Sequence, residues 1–330
     1  MSRSVLRLGT RKSPMAMTQA RHVAQLITAR TGQRVELVGL TSFGDVTQVQ
    51  LADIGGTGVF VSTLREALRH GDVDLAVHSL KDLPTAPLPG ILLAAVPPRE
   101  DPRDALVGRD GAKLADLPAG ATIGTGSPRR AAQLRLMRPD VRPVPVRGNA
   151  GTRLAKVTTG ELGAVVLAYA GLARIGQLEA VSEVFEPDAM IPAPGQGALA
   201  VECLAAAGDL AALLAAVDDP GSRAAVTAER VVLAELEAGC SAPLGAYAAG
   251  TDILQLTAAV IAGDGLAAVR ASMSGPAAQA ALLGREVAAE LLRQGAGAIV
   301  AGSTAMEAPG KWARDPAMPP GGIGNGDDAQ

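Results

Sequence analysis

The chain has 330 residues, 48% of them hydrophobic, with 30 basic against 33 acidic side chains and a net charge of −3. So even a balance excludes a strong overall field for nucleic acid or an anionic membrane, and places any anion binding on a local cluster of arginines. Aromatic residues are 2% of the chain (three Phe, two Tyr, one Trp), which excludes base-stacking platforms and leaves Ala, Val and Leu to build the cores of two or three expected domains.

The opening MSRSVLRLGTRKSP lacks the apolar run and cleavage site of a signal peptide, and no segment reaches 18 uncharged apolar residues. Two cysteines, Cys203 and Cys240, make no disulfide framework and fit a reducing compartment. A soluble cytoplasmic protein without membrane or nucleic-acid partners is expected, and a monomer.

An internal echo organises the first two thirds. A strand at Val5–Leu8 runs into Gly9-Thr10-Arg11-Lys12-Ser13-Pro14 and a helical pattern over about 14–30. Ala121–Ile123 runs in the same way into Gly124-Thr125-Gly126-Ser127-Pro128 and a helix over about 128–138. Each copy continues with a strand (34–40; 142–147), a helix and a buried apolar strand (74–78; 163–168). Such alternation argues for parallel sheets with right-handed crossovers, and its recurrence for two similar lobes. Pro97-Pro98 and Ile191-Pro192-Ala193-Pro194 are candidate hinges, and 195–202 reads as a strand returning to the first lobe.

A third unit follows Asp218-Asp219-Pro220-Gly221, with a helix over about 221–237, strands at 254–261 and 267–272, and a helix over about 276–294. It reads as a small α+β domain. The loop 42–58 is polar, glycine-rich and aperiodic, so a lid and plain mobility are both open. From about residue 307 the composition turns to Pro, Gly and Asp, and a disordered tail over 307–330 is expected.

Ser13-Pro14 and Ser127-Pro128 each pair a favoured N-cap with a favoured first helical residue, and a helix N-terminus offers N–H groups and partial positive charge to an anion. Arg11, Arg129, Arg130, Arg147, Arg153 and Arg174 fall at or just past the ends of predicted strands, where open α/β sheets bind ligands. Bidentate pairing with carboxylates is their natural use. No phosphate loop of the GxxxxGK[ST] kind occurs. Lys81 and Asp82 end a buried strand, where a carboxylate could steady a cation or form a local ion pair, while His78 reads as a packed core residue. Cys203 reads as a small core hydrophobe. Cys240 lies on a Gly/Pro-flanked turn after a helix, a better place to react but not one that lowers a thiol pKa.

Taken in order, GTRKSPMAMTQA, VHSLKDLP, REDPRDALVG, IGTGSPRRAAQL, VRGNAGTRL, AYAGLARIG, PAPGQGALAVE and EAGCSAPLG resemble the porphobilinogen deaminase (hydroxymethylbilane synthase) family along the chain to about residue 305. The resemblance implies an α/β fold of two similar doubly wound, periplasmic-binding-protein-like lobes around a cleft, plus a small C-terminal α+β domain. The expected bounds are 1–97 with 193–217, 98–192, and 218–306. It implies a transferase of tetrapyrrole (haem) biosynthesis that condenses four porphobilinogen molecules into hydroxymethylbilane with loss of ammonia. The growing chain is carried on a covalent dipyrromethane cofactor joined by a thioether to Cys240. It makes Asp82 the central catalytic carboxylate. Ser79, Lys81, Asp82, Asp104, Thr125, Ser127, Arg129, Arg130 and Gly148 look like the cofactor-holding set, and Arg11, Ser13, Gln19, Arg147, Arg153 and Arg174 like the partners of substrate carboxylates. No metal is implied.

This sequence departs from the usual family pattern at Thr57, where lysine is common, at Pro128, and at Ala238 and Ala242 beside the cysteine. Phe60 fits packing over the cofactor or within the core. The alternative reading is a two-lobed carboxylate- or amino-acid-binding module without catalysis.

Overall fold

The structure is a computed structural model that describes residues 4–41, 58–238 and 242–306. Cys240, Thr57, the 42–57 part of the expected lid and the 307–330 tail lie outside the described residues, as does the side chain of Phe60.

Two five-stranded sheets repeat one plan. In the first, β1 (Val5–Arg11) lies between β2 (Arg34–Leu40) and β3 (Leu75–Ser79), all parallel. The late strand β10 (Leu199–Leu204) then runs antiparallel between β3 and β4 (Ile91–Ala95). In the second, β6 (Thr122–Gly124) lies between β7 (Arg142–Val144) and β8 (Ala164–Ala168), again parallel. There β5 (Asp104–Gly108) is the antiparallel insert between β8 and the edge strand β9 (Glu183–Phe185). The echo in the sequence is thus an echo in topology, with two doubly wound sheets.

Local chemistry sets the element ends. Helix α1 (Pro14–Thr31) starts at Ser13, whose Oγ accepts from Ala16 N at 3.3 Å. It stops at Gly32, left-handed at φ 72°, whose N–H returns to Thr28 O at 2.9 Å. Helix α2 spans Gly58–His70, and α3 (Pro128–Met137) is capped by Ser127. The expected strand at 142–147 ends at Val144, because Pro145 has no N–H to give a ladder. Pro143 is tolerated because β7 is an edge strand. Helices α4 (Ala150–Thr158), α5 (Tyr169–Arg174) and α6 (Gly208–Leu214) complete the lobes.

The third unit packs α7 (Pro220–Glu235), α8 (Ala280–Arg293) and α9 (Ala296–Met306) on a sheet of β11 (Leu244–Ala249), β12 (Ile253–Ile261) and β13 (Ala268–Pro276). Its core is aliphatic, with Val232, Leu254, Leu256, Val260, Val287 and Leu291 fully buried. Burial of one such side chain contributes on the order of 2 kcal/mol. Two seams tie the units together. Ala132 and Ile191 pack on Ala259 and Ile261, and Leu80, Leu83, Val96 and Ala198 pack on Val226 of α7. No helix among the described residues is long and apolar enough to cross a membrane.

Candidate active site

The C-terminal ends of β1 and β6 deliver equivalent turns. Thr10 and Thr125 are both buried there. Thr10 Oγ1 donates to Ala16 O at 3.1 Å, and Thr125 Oγ1 accepts from Ser127 N at 3.1 Å. Ser127 Oγ accepts from Arg130 N at 3.5 Å. Both serines therefore serve their own helices. Arg11 closes β1, and Gln19 is buried on α1.

Behind these turns lies a buried ionic cluster. Asp104, fully buried at the start of β5, receives Arg129 Nη2 at 2.7 Å on Oδ2 and Arg130 Nη2 at 2.7 Å on Oδ1. Arg130 Nε adds a contact of 2.9 Å, and Gln196 Nε2 one of 2.8 Å. Burial alone would raise the Asp104 pKa, but Arg129, Arg130 and the Gln196 amide outweigh it and hold the carboxyl at about 2. Arg129 Nη1 also donates to Ile191 O at 2.6 Å, which fixes the hinge segment to α3.

Gln196 links this cluster to the other lobe. Its Nε2 also donates to Pro102 O at 2.7 Å, which leaves Oε1 to accept from Lys81 Nζ at 3.2 Å. Burial, then the positive charge of Arg130, lower the Lys81 pKa from 10.5 to about 8. Lys81 belongs to a single 3₁₀ turn, Leu80–Asp82, that follows β3 and Ser79. The turn is anchored by Leu80 N donating to Ala198 O at 3.0 Å. Asp82, next to Lys81, is exposed to solvent. The predicted Lys81, Asp104, Arg129 and Arg130 thus come together, with Asp82 at the open edge.

The remaining predicted arginines are spread around that centre. Arg147 and Gly148 are exposed on the loop before α4, and Gly148 takes φ +100°. Arg153 Nε donates back to Gly148 O at 2.8 Å, and its pKa is lowered by burial and then by Arg130. Arg174 is already engaged, with Nε 2.7 Å from Glu100 Oε2 and Nη2 donating to Gly197 O at 3.0 Å. His78 is buried against Glu202 at 3.2 Å, where Arg65 also binds, so it is a core residue as expected. Cys203 is buried in β10, its thiol pKa raised by that burial.

Three residues of this region are not among the sequence candidates. Gln196 falls in the returning segment with no chemistry assigned to it, although its flanking glycines signal a close backbone approach. Gly197 takes φ +86° with Glu100 O against it. Glu229 and Arg99 form a buried bidentate pair at 2.6 and 3.0 Å. Glu229 also accepts from Gly195 N (2.7 Å) and Ala248 N (2.9 Å), joining hinge and third unit. An acid on the apolar face of α7, between Val226 and Val232, is the signal that points to it.

Residues 6–212 match the family model "Porphobilinogen deaminase, dipyromethane cofactor binding domain", and residues 223–293 match "Porphobilinogen deaminase, C-terminal domain". The chain belongs to the porphobilinogen deaminase family. It is 61% identical to the porphobilinogen deaminase of Thermobifida fusca over 316 residues, which cover 92% of this chain and 98% of that protein. Porphobilinogen deaminase 1 of Streptomyces coelicolor is 52% identical over 314 residues, covering 91% and 98%. Among solved structures, a methionine binding protein is 12% identical, with 65% of this chain and 88% of that chain covered, at a TM-score of 0.42. The first porphobilinogen deaminase match contains both five-stranded sheets but for Val5, with the whole ionic cluster, and the second lies within the third unit.

Proposed function

We propose that this chain is a hydroxymethylbilane synthase, a transferase that condenses four porphobilinogen molecules into a linear tetrapyrrole with release of ammonia. One observation carries the reading: Lys81, Arg129 and Arg130 crowd around Asp104 near the exposed Asp82, and Arg130 opposes the charges of both Lys81 and Arg153. Such an excess of cation asks for anionic ligands, and a dipyrromethane bearing acetate and propionate groups answers it. The residues present therefore fit the cofactor. Arg129, Arg130 and Lys81 would hold its carboxylates, with Ser79, Thr125, Ser127 and Gly148 around them and Cys240 as the thioether attachment. The bound dipyrromethane supplies a pyrrole carbon to which the chain is added.

Arg11, Ser13, Gln19, Arg147, Arg153 and Arg174 are the proposed holders of substrate carboxylates. Asp82, at the solvent edge, accepts the pyrrole N–H of the incoming unit. It stabilises the positive charge that develops as the aminomethyl nitrogen leaves as ammonia. The buried Asp104, in the same proposed cofactor-holding set, aims the two arginines through its ion pairs with them. The units proposed to carry this chemistry are 1–97 with 193–217, 98–192, and 218–306, in a cytoplasmic monomer.

Intact mass spectrometry of the purified protein tests the reading. A mass two pyrrole units above that of the sequence is expected, with a ladder of further units on adding porphobilinogen. A chain at its bare sequence mass, even after incubation with the monomer, overturns it in favour of a binding module.

A further inference from the structure

Arg230 stands on α7, next to Glu229, and reaches out of the third unit to the turn that carries Asp82. Its Nη1 donates to Leu83 O at 2.8 Å and Leu80 O at 3.3 Å, and its Nη2 donates to Pro84 O at 2.7 Å. One of these carbonyls precedes Lys81-Asp82 and two follow it. Within the turn itself, Leu83 N donates to Leu80 O at 3.1 Å. Its apolar side is seated by Leu80 and Leu83 against Val226 of the same helix.

Three carbonyl oxygens that converge on one point repel one another unless a donor sits between them. A planar guanidinium with several N–H groups spans all three, whereas an ammonium is a point charge on a flexible stem. From α7 the chain runs on to Cys240, and Glu229 on α7 fixes the hinge through Arg99 and Gly195. One helix therefore leads to the proposed attachment residue and also grips the turn of the proposed catalytic carboxylate.

We propose that Arg230 is a positioning residue for Asp82: by gathering the carbonyls of Leu80, Leu83 and Pro84 it locks the turn from behind, so that the carboxylate keeps one place through successive additions. The proposal rests on the assignment of Asp82 made above. An open cavity of about 190 Å³ borders Arg230, lined also by Thr85, Val96, Val226, Thr227 and Ala234. Removing the side chain would extend that cavity and let a small guanidinium ion enter from solvent.

The test uses the primer-loaded enzyme as Arg230→Ala, Arg230→Lys, Asp82→Asn and the double variant Asp82→Asn/Arg230→Ala. Arg230→Ala is expected to keep the mass of the loaded protein and to lose about tenfold in kcat with little change in KM, as a small misplacement of a reacting group does. Methylguanidinium in the assay should restore a good part of that loss, which a merely structural role would not allow. Arg230→Lys should recover less than the added ion does. The double variant should be no slower than Asp82→Asn alone, since both act through one carboxylate. A near-normal kcat in Arg230→Ala overturns the proposal, and so does a loss that multiplies with that of Asp82→Asn. Should the alanine variant fail to fold, Arg230→Lys carries the test, and an unchanged kcat there is equally fatal. Normal turnover in Asp82→Asn would instead sink the assignment of Asp82 on which this rests.

Discussion

Lys81 Nζ lies 3.2 Å from Gln196 Oε1, so a cation at the end of β3 is tied to the segment by which the chain re-enters the first sheet. The amide has no choice of orientation, because Pro102 O and Asp104 claim its N–H groups. It therefore separates the Lys81 ammonium from the Asp104 carboxylate instead of letting them pair directly.

Replacing that amide by a carboxylate reverses this. Gln196→Glu sets an anion beside Lys81 and opposes the burial that keeps its pKa at about 8. It also loses the donated bonds and brings two carboxylates together at Asp104. The midpoint for acylation of Lys81, followed by mass spectrometry against pH, should move up by about one pH unit or more, and the melting temperature should drop. A midpoint that stays in place would show that Gln196 does not tune Lys81.

Asp104 and Glu202 are both held at about 2, below their ordinary values, by buried arginine, histidine and amide partners that outweigh burial. Their folded pKa values lie under the unfolded ones, so their stabilisation is complete above the ordinary carboxylate range. It is lost as the pH falls from about 5 toward 2, at roughly 1.4 kcal/mol per group for each pH unit that separates the folded from the unfolded value. Urea unfolding at pH 7, 6 and 3 should show a flat free energy between the first two and a steep decline by the third. A constant value down to pH 3 would contradict the assignment.

Gly197 and Gly32 separate crowding from backbone strain. Both have positive φ, +86° and +72°, but a Cβ at Gly197 would sit within 2.4 Å of Glu100 O, whereas at Gly32 it would meet nothing within 4 Å. Gly32→Ala should cost about 1 kcal/mol and Gly197→Ala well over 2 kcal/mol, with loss of activity as Arg174 leaves Gly197 O. Equal losses in denaturant melts would count against the geometry of the crossing.

Asp82→Asn should leave the fold within about 0.5 kcal/mol, since Asp82 is exposed, while removing most turnover. Cys240→Ser should yield protein at its bare sequence mass. Full activity in either variant would reassign that residue.

The starts of α1 and α3 are legible in the sequence because Ser-Pro caps act within one turn of chain. The duplicated strand–helix pattern is legible for the same local reason. Strands β4, β5 and β11 are not, since they are short and packed without clear alternation of apolar and polar residues. The family resemblance names the residues of the ionic cluster, but not its wiring. Gln196 meets Asp104 across 92 positions, and Arg99 meets Glu229 across 130. No local pattern encodes such pairings.

The wedge made by β10 has a consequence for the order in which the molecule matures. The sheet that begins first has a missing slat until residues 199–204 emerge, since among the described residues β4 pairs with β10 alone, whereas the second sheet is finished once residue 185 is made. A polypeptide synthesised from its amino end therefore completes its middle before its beginning. A fragment ending near residue 190 should shield its amides from deuterium in β5, β6 and β8 but not in β4, and shielding of β4 there would rule this sequence of events out.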